Sequence, residues 1–348
     1  MTEAELLGPR AYGAALGRAW LKSAPLDFQV NEVLDIPFTG EGEHSWLYIE
    51  KQQLNTEQVA KRLAEFAQVP VRQVSYAGLK DKQAITRQWF SLQLPGKQSP
   101  DFTQLNSEQL KVLQQARHQR KLQRGSHKAN QFVITLRQLA LDVAPEELEQ
   151  RLAQISQQGV PNYFGPQRFG REGFNLAFAR QFAASHSLPD KRNVRSRLLS
   201  TARSFLFNQI LAQRVTSGEW NQLISGDILS FTDSASFFPA AEMQADDLRF
   251  AQLDTHPTGA LWGKGELVSS AQAAAYEHSV AEQEADLASW LAAAGLKQER
   301  RNLRLPVKQL TVKWLDTDAL QLAFQLPVGC YATVVLRELF ELTTAVSE

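Results

Sequence analysis

Within YAGLKDKQAITRQWF, residues 76–90, a single carboxylate, Asp81, stands between Lys80 and Lys82. An ionised carboxylate on a loop can act as a nucleophile or take up a proton. A solvated charged turn is the ordinary alternative for such a triplet, and the three residues alone do not separate the two. Two further patterns suit a polyanionic ligand. RHQRKLQRGSHK (117–128) and KRNVRSRLLSTAR (191–203) each hold five Lys or Arg and no acid, as a track of phosphate contacts would. PNYFGPQRFGREGFN (161–175) interleaves four aromatic rings with Arg168 and Arg171, the mixture on which unpaired RNA bases stack. A solvated helix face would explain the runs equally well, and packing at a hinge would explain the aromatics.

Other chemistries find no support. GALWGKGE is one residue short between its glycines for a phosphate loop and lacks the Ser or Thr that would hold magnesium. A G-x-G-x-x-G dinucleotide fingerprint and a G-x-S-x-G elbow are both missing. The six histidines are scattered without ligand spacing, and the single cysteine, Cys330, can form neither an internal disulfide nor a zinc site. These readings lead one to expect neither a metal nor a cofactor. The composition, 43% hydrophobic and 21% charged, is that of a folded chain. Lys+Arg and Asp+Glu both total 37, so a nucleic-acid partner must be met by local patches. The acidic N-terminal stretch does not read as a signal peptide and no apolar run is long enough to span a membrane, which with the cysteine usage points to the cytoplasm.

Several elements must hold Asp81 in place. LDFQVNEVLDI (26–36) reads as a strand on Phe28, Val30 and Val33, with an irregularity where the alternation slips. NTEQVAKRLAEFAQ reads as an amphipathic helix capped by Asn55 and Gln58. TRQWFSLQL alternates as a half-buried strand, so Asp81 lies on a glycine-containing loop feeding it. NQFVITLRQL is another strand, QLTVKWL and ALQLAFQL form a hairpin, and YATVVLRELF reads as a closing helix. Between these strand-rich ends, 156–305 turns largely helical, and a separate domain inserted into a split α+β domain fits that pattern. At 348 residues two domains are expected.

Taken together, YAGLKDKQAITRQWF, NYFGPQRFG, ARSFLFNQ, ALWGKG and LPVGCYATVVLREL resemble the tRNA pseudouridine synthase D (TruD) family, in order and spacing from about residue 20 to 340. The resemblance implies an α+β pseudouridine-synthase fold, a mixed and mainly antiparallel sheet flanked by helices. Residues 1–155 plus 306–348 would form this catalytic domain and 156–305 an inserted, largely helical α+β TRUD domain. It further implies an isomerase, an intramolecular transferase, that converts a uridine of tRNA, typically uridine 13, to pseudouridine. The enzyme would act as a monomer with no obligate protein partner. Asp81 becomes the catalytic carboxylate and Lys22 its basic partner. Phe28, Asn130, Phe132 and Tyr331 match the uridine pocket, and Arg117, Arg120, Lys121, Arg168 and Arg171 become candidate RNA contacts.

That reaction suits a site without a cofactor, because one glycosidic bond is exchanged for a bond from the same ribose carbon to C5 of the same uracil. Asp81 could attack the ribose as in retaining glycosidases, or remove a ribose proton to open an elimination route. Either role needs it ionised, which a cation within about 4–6 Å favours. Lys80 and Lys82, adjacent in an extended loop, need not be that cation. Other pseudouridine synthases carry a tyrosine where the resemblance places Phe132, so no phenol can serve there, and water or Asp81 must handle the protons. Two rivals stand beside this reading. A non-catalytic RNA binder would bind without chemistry, and a transferase using a donor cofactor would need the glycine-rich loop that is missing.

Overall fold

In the computed structural model, which describes residues 3–96, 98–232, 234, 236–243 and 247–344, the chain divides into two units. One comprises Met1–Ala15, Glu146–Val307 and Gly329–Leu339; the other, Leu16–Pro145, Lys308–Val328 and Phe340–Glu348. A short helix, α1 (Glu3–Leu7), comes first. The strands β1 (Gly17–Leu21), β2 (Phe28–Val33), β3 (His44–Lys51), β4 (Val74–Tyr76), β5 (Ile85–Gln93), β6 (Leu110–His118) and β7 (Ala129–Leu141) follow, with α2 (Thr56–Phe66) between β3 and β4. The chain then runs through α3 (Pro145–Gln158), β8 (Val160–Pro161), α4 (Phe174–Ala184), α5 (Arg192–Thr216), β9 (Ile228–Phe231), β10 (Phe237–Pro239), β11 (Thr255–Leu261), α6 (Ala271–Gln283), α7 (Ala285–Ala293), β12 (Glu299–Asn302) and β13 (Arg304–Leu305). It ends with the hairpin β14 (Lys308–Asp316) and β15 (Ala319–Pro327), helix α8 (Ala332–Arg337) and β16 (Glu341–Thr344).

A ten-stranded sheet forms the second unit, with β14, β15, β7, β2, β5, β3 and β6 side by side, β4 added to β5, and β1 joined to β7 and β16. Its pairs are antiparallel except β2 with β5 and β1 with β16. The fold class is therefore α+β, as the sequence leads one to expect. Helix α2 starts where the sequence places it. Asn55 accepts from the Gln58 N–H at 2.8 Å and Gln58 accepts from the Asn55 N–H at 2.9 Å, a reciprocal cap that satisfies two otherwise orphaned donors.

Two expectations are corrected. β5 is buried along nearly its whole length and not half-buried, because it runs between β2 and β3 with apolar clusters on both faces. Phe90 and Leu92 join Val59, Leu63 and Phe102 on one side, and Trp89 joins Trp46, Leu122 and Phe38 on the other. The polar Thr86, Gln88 and Ser91 are carried inside with it. YATVVLRELF does not close the chain as a helix. α8 stops at Arg337, and Glu341–Thr344 forms a strand parallel to β1.

The first unit combines α4 to α7 with a four-stranded sheet ordered β10, β9, β11, β12, so its strand content exceeds what the helical patterning announces. Within it the buried Arg214 of α5 pairs with the buried Asp227 at 2.8 Å, and Asn208 bonds the carbonyls of Leu6 and Phe164. Among the described residues no helix is long and apolar enough to cross a membrane.

Candidate active site

Asp81 sits on the loop between β4 and β5, and three anchors fix that loop from below. Thr56, the first residue of α2, accepts a hydrogen bond from the Lys80 N–H at 3.0 Å and donates to Gln88 at 2.9 Å. Gln88 in turn donates to the Gly78 carbonyl at 3.1 Å. Lys51, at the end of β3 and fully buried, donates to the carbonyls of Leu54 at 2.8 Å and Asp81 at 2.9 Å. Lys80 turns inward to pair with Glu32 at 2.7 Å, both side chains almost wholly enclosed, and the other Glu32 oxygen accepts from the Trp89 N–H at 2.9 Å. Lys82 is exposed. The two lysines beside Asp81 thus go separate ways, one into the core and one to solvent.

The carboxylate of Asp81 is met by a different cation. Lys22 Nζ lies 2.5 Å from Asp81 Oδ2, with the two side chains 24% and 40% exposed, and Oδ1 accepts from the Gln83 N–H at 3.0 Å. Lys22 follows β1 with φ of 61°. A side chain rarely adopts this left-handed conformation, which costs of order 1–3 kcal/mol and tends to occur where a site dictates geometry. The same ammonium stands 4.5 Å from the centroid of the Phe28 ring. Phe28 meets Phe132 edge-on at 6.2 Å, and Phe132 stacks on Phe324 at 5.6 Å. The buried Asn130 is registered opposite Glu32 and adjoins His127.

Burial pushes the Asp81 carboxyl up, yet the hydrogen bond and charge of Lys22, the Gln83 amide and the charge of Lys51 together hold it below the ordinary carboxylate value. Burial lowers Lys51, opposed by Asp81 and assisted by Lys80, to about 8. Burial likewise lowers His127, with Lys80 assisting and Glu32 and Asn130 opposing. The result is a carboxylate paired with Lys22, whose ammonium also faces the Phe28 ring, on a loop whose backbone carbonyls and amides are already held. Such a group can attack an electrophilic carbon or remove a proton without reorganising its support.

Lys22, Phe28, Asp81, Asn130 and Phe132 all belong to the unit of the long sheet. Tyr331 belongs to the other unit, at the N-terminus of α8, where its hydroxyl accepts from Arg168 at 3.0 Å and its ring lies 6.3 Å from Phe164. Arg168 also donates to Ser200 at 3.1 Å. Arg171 is almost fully exposed. Arg117 reaches the carbonyls of Leu94 and Gly96 and the hydroxyl of Ser99, and so braces a loop of its own unit. Arg120 and Lys121 are exposed, the Arg120 carbonyl accepting from Trp46 at 2.8 Å.

Lys51, Glu32 and Thr56 were not singled out by sequence. A signal exists for two of them. Lys51 falls in phase with Leu47 and Ile49, and Glu32 with Phe28 and Val30, so each occupies the inward position of an apolar alternation. β2 is regular, and the slip inferred at Val33 arises because Glu32 takes the inward place.

Known proteins resemble the chain over nearly its whole length. A family model described as tRNA pseudouridine synthase D (TruD) matches residues 15–178 and 180–339. The chain is 56% identical over 342 residues to a tRNA pseudouridine synthase D of Pseudomonas fluorescens (strain Pf0-1), covering 98% of this chain and 97% of that one. It is 57% identical over 345 residues to another of Pseudomonas putida (strain W619), covering 99% and 97%. A crystal structure from Methanosarcina mazei carrying the same family name superposes with a TM-score of 0.69 over 96% of both chains, at 21% identity. That likeness concerns the fold.

Proposed function

The chain belongs to the tRNA pseudouridine synthase D family, and from that membership we propose that Asp81, set by Lys22, carries the reaction on a uridine at position 13 of tRNA. As a member the chain is an isomerase that converts uridine in tRNA to pseudouridine. The observation that carries the assignment to Asp81 is the Lys22–Asp81 ion pair at 2.5 Å on a loop pinned by buried Lys51 and Lys80. We assign catalysis to the unit of the ten-stranded sheet and the family-specific insertion to 156–305. The protein works as a cytoplasmic monomer.

A uridine inside a helix is out of reach, so the target must swing out of its stack into a pocket. Phe28, with the Lys22 ammonium beside its face, and Phe132 supply an apolar wall there. Asn130, with a donor and an acceptor on one carboxamide, suits the uracil edge. The C1′–N1 bond breaks, the released uracil turns, a C1′–C5 bond forms, and the C5 proton is lost as N1 gains one. No electrons are gained or lost overall. Asp81 enters by attack at the ribose carbon or by removing a ribose proton, and both routes begin from the carboxylate. Phe132 has no hydroxyl, so proton transfer falls to water or to Asp81 itself.

Incubating purified protein with an unmodified tRNA transcript and no added cofactor should yield pseudouridine at position 13 when the product is mapped. Binding without modification would replace this reading with that of an RNA binder. A second outcome concerns pH. Asp81 sits below its ordinary value, so its charge persists as pH falls through the usual carboxylate range, while the stability its ion pair contributes, full above that range, is lost progressively as pH falls from the unfolded carboxylate value through the lowered folded one. Lys22→Met removes the neighbouring cation and should move the acid limb of kcat/KM to higher pH. An unmoved limb would separate Lys22 from the ionisation of Asp81.

A further inference from the structure

We propose that a groove on the unit of the long sheet, whose lining does not include Asp81, is a second RNA subsite that takes an unpaired nucleotide of the substrate next to the target uridine. Its volume is about 830 Å³, within the range of clefts that hold small organic ligands. β4 forms its floor, α2 and the turn after Pro70 form one wall, and residues 121–124 form the other. Lys61, Arg72, Lys121 and Arg124 line it, against a single acid, Glu57. Tyr76 presents its ring there, with the Arg124 guanidinium 5.8 Å from the ring centroid, while Phe90 supports the ring from inside at 5.9 Å.

Three other arginines of this unit are committed to internal partners. Arg87 pairs with Glu50, Arg137 with Asp27, and Arg117 bonds backbone carbonyls. Among the described residues no carboxylate or carbonyl holds Arg72, Lys121 or Arg124, which are exposed, and Lys61 has only an exposed neighbour, Glu65, at 3.8 Å. Uncommitted cations around a supported aromatic ring match an RNA strand on two counts. Phosphates meet the cations, and a base can lie against the ring and the guanidinium plane. An acidic peptide would use the charges and leave the ring idle.

The groove is joined to the reaction loop by short connections. Tyr76 begins the segment that leads to Asp81, and the Gly125 N–H donates to the Ala77 carbonyl at 2.8 Å. Glu57 follows Thr56, the residue that holds the Lys80 amide. A nucleotide seated there would fix the strand on one side of the flipped uridine. The inference rests on Asp81 being the reaction centre.

The test is tRNA binding as a function of salt, measured for the Asp81→Asn protein and for the same protein carrying Arg72→Ala and Arg124→Ala, with kcat and KM measured for the pair on the active background. Losing two phosphate contacts should weaken binding roughly 10- to 50-fold near 0.1 M salt and flatten the slope of log K against log salt by about 1–2. The catalytic loss should fall on KM. Arg124→Lys, which keeps the charge and loses the planar group, should keep the slope and still raise KM several-fold. Unchanged affinity and slope would overturn the subsite, as would tight competition for the groove by an acidic peptide. Failure of the Asp81 assignment would show differently, as a wild-type protein that binds tRNA and forms no pseudouridine. The salt slope would still judge the groove.

Discussion

Asp81→Asn should abolish pseudouridine formation, lowering single-turnover rates by about 10⁴-fold or more, as loss of a catalytic nucleophile does in other enzymes. The substitution keeps the shape. An Asn carboxamide oxygen can still accept from Lys22 or Gln83, which now hold the two carboxylate oxygens, but it can neither attack the ribose nor take a proton at neutral pH. Binding of tRNA should change by no more than a few-fold, because Asp81 contributes no positive charge toward phosphate. Stability should change by less than about 1 kcal/mol, since the ion pair that is lost is partly exposed on both sides. Retention of more than a few per cent of the rate would remove Asp81 from the chemistry. A large fall in melting temperature would instead give it a structural role.

Much of the frame around that carboxylate can be read in the residues, because local rules govern it. The Asn55 and Gln58 cap, the alternation of β7 and the β14–β15 hairpin each depend on neighbours in sequence. The burial of β5 does not. Its Ser91, out of phase with Phe90 and Leu92, looks like a solvent position until two apolar clusters from distant segments close over both faces. β16 is likewise illegible, since a four-residue strand after α8 is specified by its partner β1, some 320 residues earlier.

The site divides along the same line. The motif marks Asp81, but which lysine meets it is decided by tertiary placement. Lys22 is drawn to the carboxylate through an unusual backbone angle, while the sequence neighbour Lys80 is turned away toward Glu32. Lys51 and Glu32 carry their own warning, a charge in the apolar phase of a strand. A charge placed there needs a buried partner, so such positions point to a network beneath a loop before the loop itself is known.

Lys80→Met tests whether that network fixes the Asp81 loop. The Lys80 and Glu32 side chains are 7% and 0% exposed, so removing the ammonium leaves a carboxylate enclosed without its counter-charge, a change that costs about 3–5 kcal/mol. The Trp89 N–H still donates to Glu32, and His127 is near enough to feel its charge, so a proton should be taken up within this enclosed group. Stability of the variant should therefore recover as pH is lowered, because the folded state then binds a proton more tightly than the unfolded chain does. Pairing the change with Glu32→Gln, which removes the orphaned charge and keeps an acceptor for the Trp89 amide, should restore most of the lost stability. The rate should not return with it. In the double variant the Lys80 side chain no longer ties the loop to β2, and the loop keeps Lys22, Gln83, Lys51, the Thr56 contact to the Lys80 amide and the Gln88 contact to the Gly78 carbonyl. Chemical denaturation and single-turnover kinetics on the two variants separate these effects. A double variant with wild-type stability and a wild-type rate would show that the buried pair merely fills the core, whereas stability regained with the rate still depressed at least tenfold would show that Lys80 aims the residue beside it.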